Sequence, residues 1–414
     1  MKGKIIFRLI ACAALLWAVR PAAADGNNCL TCHSEWEEGT DAPSKRWSFD
    51  IHKESGLSCA DCHGGNPSLE EMDAVRASKG YRGIPAAGDI PGFCGRCHSD
   101  AAYMKRFNPS LPIDQLEKYK TSMHGIRLSA GDKKAATCVS CHSVHNIAPA
   151  NAPTSTVYAV NLPKTCAACH ADAAYMAAYG IPTDQYDKFA KSVHGIALLQ
   201  KEDIAAPACN DCHGNHGALP PGVDDISAVC GTCHAKNAML FAESPHKKAF
   251  EAQSLPQCET CHSNHDILSP TDALIGAGQK SLCIGCHSQD DGNKGYETGV
   301  MVSALLDSLV RLEQEASDVI DRGEKKGMAV TDQLFALKDV HSSLVESRTL
   351  VHTFTLDKIK PELDKGIQLA AATYRQGLDL LGEYNFRRIG LGISTIFITL
   401  LALLIWITIR RLER

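Results

Sequence analysis

Between residues 29 and 287 the chain spells Cys-x-x-Cys-His nine times, and no other feature limits its folding so tightly. The motifs are Cys29-Cys32-His33, Cys59-Cys62-His63, Cys94-Cys97-His98, Cys138-Cys141-His142, Cys166-Cys169-His170, Cys209-Cys212-His213, Cys230-Cys233-His234, Cys258-Cys261-His262 and Cys283-Cys286-His287. They use 18 of the 19 cysteines and leave only Cys12. Two thiols three residues apart can each add to one vinyl group of a haem, and the His that follows then meets the iron from one side. A zinc ribbon also uses Cys-x-x-Cys, but it has no need of a His after the second Cys in every copy. Disulfide-linked or redox-active pairs have no such need either. The pattern therefore points to nine covalently attached c-type haems. It also suits a composition with only 6% aromatic residues, because macrocycles supply apolar surface that the side chains do not.

The motifs belong to a larger repeat. Cys97-His98-Ser99-Asp100-Ala101-Ala102-Tyr103-Met104 recurs as Cys169-His170-Ala171-Asp172-Ala173-Ala174-Tyr175-Met176. Each copy leads to Ser-x-His-Gly, at 122–125 and 192–195, and then to a motif with another His three residues on, His145 and His216. A third copy is degraded, running from His234 through Ser244-Pro245-His246 to His265. The first copy runs from Cys29 through Asp50-Ile51-His52 to His63, with Asn66 where the others place a His. The unit is two haems with two loose histidines, four times over, plus a ninth haem at Cys283.

Nine of the 18 histidines close motifs, and nine remain: His52, His124, His145, His194, His216, His246, His265, His341 and His352. A His three residues after a motif His lies on the same side of a short helix, so its reach is to a neighbouring iron rather than its own. The repeat supplies seven such second ligands. The last two, His341 and His352, fall in a helical segment, 330–357, that follows another at 297–322, with Gly323 and Gly327 between. Apolar stripes are expected at Met301, Leu305, Leu309, Leu312, Ala316 and Val319, and at Leu334, Leu337, His341 and Leu344. On one helix His341 and His352 would share a face about 16 Å apart, suiting two adjacent irons, or they would simply be packed. Met104, Met176 and Met239 read as packing. Bis-His ligation implies low potentials, since a Met ligand is what raises them.

Both ends carry targeting signals. Lys2, Lys4 and Arg8, an apolar run over 9–19 and Ala22-Ala23-Ala24 read as a secretory signal cleaved before Asp25. Cys12 leaves with it, although its surroundings loosely match a lipoprotein box. The mature chain then holds 38 Lys+Arg against 47 Asp+Glu, an acidic balance that argues against nucleic acid and for a basic redox partner. Residues 389–409 carry no charge and are flanked by Arg387-Arg388 and Arg410-Arg411. About 20 apolar residues cross a bilayer. The expected topology is a single pass through the inner membrane, with the haem domain in the periplasm and residues 410–414 in the cytoplasm.

The paired motifs, Ser-x-His-Gly and CxxCHxxH, resemble those of multihaem c-type cytochromes with doubled CxxCH, the cytochrome c3-like and c554-like group, over about residues 29–290. The resemblance implies closely packed haems in short helices and loops, forming a path for electron tunnelling. The expected fold is mainly α with much irregular structure: a nonahaem domain over 25–290, a helical hairpin and stalk over 296–386 with a third helix beginning near Pro361, and one C-terminal transmembrane helix. That third helix has an expected stripe at Leu363, Ile367, Ala371, Tyr374, Leu378 and Leu381. The chain also resembles membrane-bound cytochromes that exchange electrons between the quinone pool and periplasmic partners. Tetrahaem members of that type carry an N-terminal anchor, whereas this anchor is C-terminal. Quinol oxidation then falls either to this chain or to a separate cytochrome b or iron–sulfur subunit.

Two function classes follow. One is an electron relay with two imidazoles on every iron and no catalytic residue. The other is a reductase of the nitrite, hydroxylamine or tetrathionate type with one open iron, for which the first haem pair, beside Asn66, is the place to look. No CxxCK variant is present.

Overall fold

The computed structural model describes residues 27–413 apart from 37, 38, 40, 41, 220–225, 291 and 293. The signal-type segment with Cys12, and Arg414, lie outside the described residues. The protein is 65% helical, with no strand among the described residues. Two kinds of helix alternate with two kinds of sequence. Up to residue 287 the helices are three to nine residues long. Afterwards come three long ones: α1 (Gly295–Lys325), α2 (Thr331–Leu350) and α3 (Leu356–Leu412).

Chain contacts divide the molecule into two units. One takes the chain as far as Tyr175 and returns for Ala208–Leu219; the other holds Met176–Pro207 and everything after Leu219. In the second unit the last motifs and the long helices share contacts. Arg348 grips Asp272 with two hydrogen bonds, and Gly299 of α1 lies against the Cys283 thiol.

Val302, Leu306 and Leu309 of α1, Val340 and Leu344 of α2, and Ile359, Leu363 and Ala370 of α3 form one apolar core. The buried stripes overlap those expected only in part: Leu309, Ala316 and Val319 on α1, Leu344 on α2 and Leu363 on α3 are buried as expected, and the rest are displaced. On α1, Val302 and Leu306 are buried while Met301 is 45% exposed. On α2 the inward set is Val340, Ser343, Leu344 and Ser347, leaving Leu334 largely exposed. On α3 it is Ile359, Leu363, Gly366, Ala370, Thr373 and Gly377, with Leu378 outside. Small residues face inward because the backbones approach closely. A Cβ on Gly366 would meet Leu309 Cδ2 at 2.9 Å, and one on Gly377 would meet Val319 Cγ1 at 2.6 Å.

Helix boundaries differ too. Gly323 stays buried inside α1, and the break comes at Gly327, whose φ of +78° suits glycine. The second helix stops at Leu350; Val351–Thr353 form a 3₁₀ turn and Phe354 takes φ 52°. The run Val351-His352-Thr353-Phe354-Thr355 is β-branched or aromatic apart from one His, so it propagates a helix poorly. The third helix begins at Leu356 rather than near Pro361. Pro361 sits on its exposed side, where the missing N–H forgoes only a bond to the carbonyl of exposed Asp357. Its last two-fifths is apolar and none of its most apolar stretch is buried, so α3 is long and apolar enough to cross a membrane.

Candidate haem sites

Three of the motifs ride on short helices that the motif itself helps to start. Asp61, inside Cys59–His63, accepts the Ser58 backbone N–H at 2.7 Å, and Asp211 accepts that of Ala208 at 2.7 Å. Ser140 does the same for Thr137 at 3.0 Å. Satisfying these first amides lets a helix of only five residues hold two thiols and an imidazole on one turn. At Cys59–His63, Cys138–His142, Cys209–His213 and Glu259–His262 the helix ends at the motif His. The next residue has positive φ: Gly64 (68°), Ser143 (59°), Gly214 (78°) and Ser263 (63°). A loose His three residues on is therefore turned away by the backbone instead of lying on the same helical side.

Ser-x-His-Gly is a cap. Ser122 and Ser192 accept the N–H of Gly125 and Gly195 at 3.0 and 2.9 Å. Glycine is required there, because a Cβ would stand 2.0 Å from the Tyr119 carbonyl oxygen or 1.8 Å from that of Phe189. The residue before each loose His then latches onto the strand of chain after a CxxCHxxH histidine. Ile51 N–H donates to the Ile147 carbonyl at 2.9 Å, Met123 to Ala218 at 3.0 Å and Val193 to Ile267 at 2.8 Å.

These latches bring histidines together in pairs. Ring centroids lie 5.9 Å apart for His52 and His98, 6.1 Å for His63 and His145 and 6.1 Å for His124 and His170. The others are His142 and His216 at 6.0 Å, His194 and His234 at 6.2 Å, His246 and His287 at 5.8 Å, and His262 and His352 at 6.2 Å. Each pair joins one motif histidine to one loose histidine. The separations are nearly constant while the interplanar angles run from 12° to 83°. Ring stacking would select an angle; a metal between two nitrogens fixes separation and leaves rotation free. Nitrogens about 2 Å from one iron on opposite sides put the centroids about 6 Å apart.

Charge and hydrogen bonding agree with neutral ligands. Burial, and after it the partner imidazole, pushes His98, His124, His142, His194, His246 and His262 below the ordinary histidine range. Nδ1–H of His63 donates to the Gly83 carbonyl at 2.8 Å, and that of His352 to Thr349 at 2.9 Å, while the Asn237 side-chain amide stands 3.4 Å from the His352 Nε2. Within the repeat units, thiols of paired motifs touch. Cys94 hydrogen-bonds Cys138, Cys166 hydrogen-bonds Cys209 and Cys258 hydrogen-bonds Cys230. Through that bond Cys138 and Cys230 are each lowered to about 7. None of the 18 described cysteines is in a disulfide, so their thiols fit thioether formation.

The structure separates His341 from His352. His352 meets His262, but His341 lies on the outer side of the displaced α2 stripe, 63% exposed, with Nδ1 held by Glu313 at 2.9 Å. The expectation of two ligands on one helical face does not survive: the helix stops between them, and one has turned to solvent. Beyond the seven pairs, His213 directs Nδ1 to the Leu219 carbonyl at 3.3 Å, His33 closes the first motif and His265 follows the eighth. Met104 and Met176 are buried, whereas Met239 is 54% exposed. One residue escaped sequence reasoning. Asp50, 1% exposed, holds His52, and the signal was that it replaces the serine of the other copies.

The family model for cytochrome c3 matches residues 51–171, and that for the doubled CXXCH motif matches residues 246–292. The chain is a multihaem c-type cytochrome. No curated protein and no solved structure matches it. This cytochrome is an electron-transfer protein with covalently bound haem. When bound, haem iron supplies one-electron redox chemistry. The paired histidines would hold that iron, with Nδ1 of His63 and of His352 fixed by backbone carbonyls.

Proposed function

We propose that this cytochrome is a nine-haem relay, anchored in the inner membrane by α3 and passing electrons between the quinone pool, or a quinol-oxidising complex, and periplasmic redox partners. The seven imidazole pairs carry this reading, because an iron held from both sides exchanges electrons and has no position for substrate. Thiol contacts within each repeat support haems that share an edge, two by two. The nine motif histidines and the loose histidines at 52, 124, 145, 194, 216, 246, 265 and 352 take the ligand roles; His341 takes none. The apolar end of α3 and the signal-type start support a haem domain on the periplasmic side. Acidic surface suits a basic donor or acceptor, and a cytochrome b or iron–sulfur subunit suits the quinol side.

The test is the resting holoprotein. Its mass should correspond to nine attached haems, and its electron paramagnetic resonance should be dominated by low-spin ferric iron that cyanide leaves unchanged, with room for one high-spin centre at most, because nine motif and eight loose histidines leave one iron of the nine a single imidazole. A mass short of nine overturns the stoichiometry. A high-spin component that binds cyanide or nitrite and turns over makes this a reductase.

A further inference from the structure

Among the capped histidine segments one is built differently. In three copies of the repeat, the residue two before the loose His is a serine whose hydroxyl donates to a backbone carbonyl: Ser122 to Tyr119, Ser192 to Phe189 and Ser244 to Phe241. In the remaining copy it is Asp50, and its carboxylate reaches the imidazole itself. Oδ1 accepts both the backbone N–H of His52 and its Nδ1–H, each at 2.9 Å. Oδ2 accepts the N–H of Ile147 at 2.8 Å, two residues past His145. The side chain is buried, and three donors converge on it.

Two other imidazoles of the seven pairs rest on weaker acceptors, and a third has none. His63 and His352 use neutral backbone carbonyls, and the buried Nδ1 of His246 has no hydrogen-bond partner. A carboxylate behind an imidazole draws its proton and makes the opposite nitrogen a stronger donor to metal, and such outer partners tune the metal they never touch.

We propose that Asp50 is a positioning residue that gives the His52–His98 site a carboxylate hydrogen-bonded behind one of its ligands, and so lowers its reduction potential relative to the same site without the charge. This rests on the bis-histidine reading above and adds to it a difference between otherwise repeated sites. Asp50 also ties two sites together, because the carboxylate that orients His52 anchors the backbone leading from His145, the partner of His63.

The variant Asp50→Asn keeps an oxygen for the backbone donors and removes the charge. In the holoprotein, an optical redox titration should show one centre moving toward easier reduction by about tenfold in its equilibrium, which is about 59 mV for a one-electron couple. The remaining centres and the attached-haem count should stay as they were. In the wild-type protein, near-infrared magnetic circular dichroism should show one low-spin centre whose charge-transfer band is displaced toward the imidazolate position, and Asp50→Asn should return it to the others. Unchanged titration and spectra in a fully loaded variant overturn the proposal. If the variant loses haem, the wild-type spectrum decides alone: no displaced band overturns it. Failure of the ligation reading itself looks different, since the wild-type protein would then lack the low-spin signals altogether.

Discussion

The motif region and the long-helix bundle build their interiors in opposite ways. Of the twelve largest fully buried side chains, only Leu198 and Asp50 come from before residue 288; the rest lie between Val302 and Thr373. The bundle is a polypeptide that excludes water with leucine, isoleucine and valine, and with glycines where helices nearly touch. The motif region has fewer buried apolar side chains, among them Met104, Met176, Leu198, Leu240, Phe241 and Phe250, and beside them it buries capping groups such as Asp50, Ser122 and Ser192. One half of this cytochrome therefore owns its core, while the other must receive one. The difference also explains the helix lengths: a short helix buries too little to persist unless something other than its own packing pins it.

Removing haem should break the comparison most sharply. Protein made without haem attachment should show hydrogen-exchange protection confined to residues 295–385, with residues 28–287 exchanging as unfolded chain. Protection across the motif region in that state would show that the polypeptide does own a core there. The next largest effect is at the join. His352→Ala should convert one low-spin centre to high spin, read as a fractional loss of the low-spin resonance, whereas His341→Ala should leave the spectrum as it was.

Within the bundle, Leu309→Ala should lower stability by about 2–5 kcal/mol, as expected for a buried leucine, without altering haem spectra. Gly377→Ala should cost about 1–3 kcal/mol, because its Cβ would press on Val319. Smallest of all, Glu313→Gln should change stability by about 0.5 kcal/mol or less, the value of an exposed ion pair. Thermal or denaturant unfolding followed by far-ultraviolet circular dichroism checks all three.

Haem chemistry was legible in the sequence because covalent attachment needs fixed residue types at fixed spacing, and a repeat displays it many times. For the same reason the repeat pointed to six loose histidines, His52, His124, His145, His194, His216 and His246, that stand beside a motif histidine. Helix existence in the C-terminal third could be read from periodicity, and its phase in part, since Leu309, Ala316, Val319, Leu344 and Leu363 are buried as expected. Counting large apolar residues also selects Met301 and Leu378, while the structure buries the smaller neighbours Val302 and Gly377, since helices that touch closely face each other with what is small. His341 was misplaced by that same shift of one residue. Asp50 was overlooked because a single departure from a repeated serine looks like drift until its carboxylate is seen against His52.

His352 lies three residues before Thr355, whose extended backbone opens a helix that continues for 57 residues without a hinge, a length of about 85 Å. A rod of that kind has no swivel, so twisting or leaning one end turns the other. A thicker or thinner bilayer that changed the tilt of the apolar end would be felt as leverage on the turn carrying that imidazole. With α3 in a bilayer and His352 on an iron, as proposed above, lipid composition would become a mechanical input to the orientation of one ligand in an electron path.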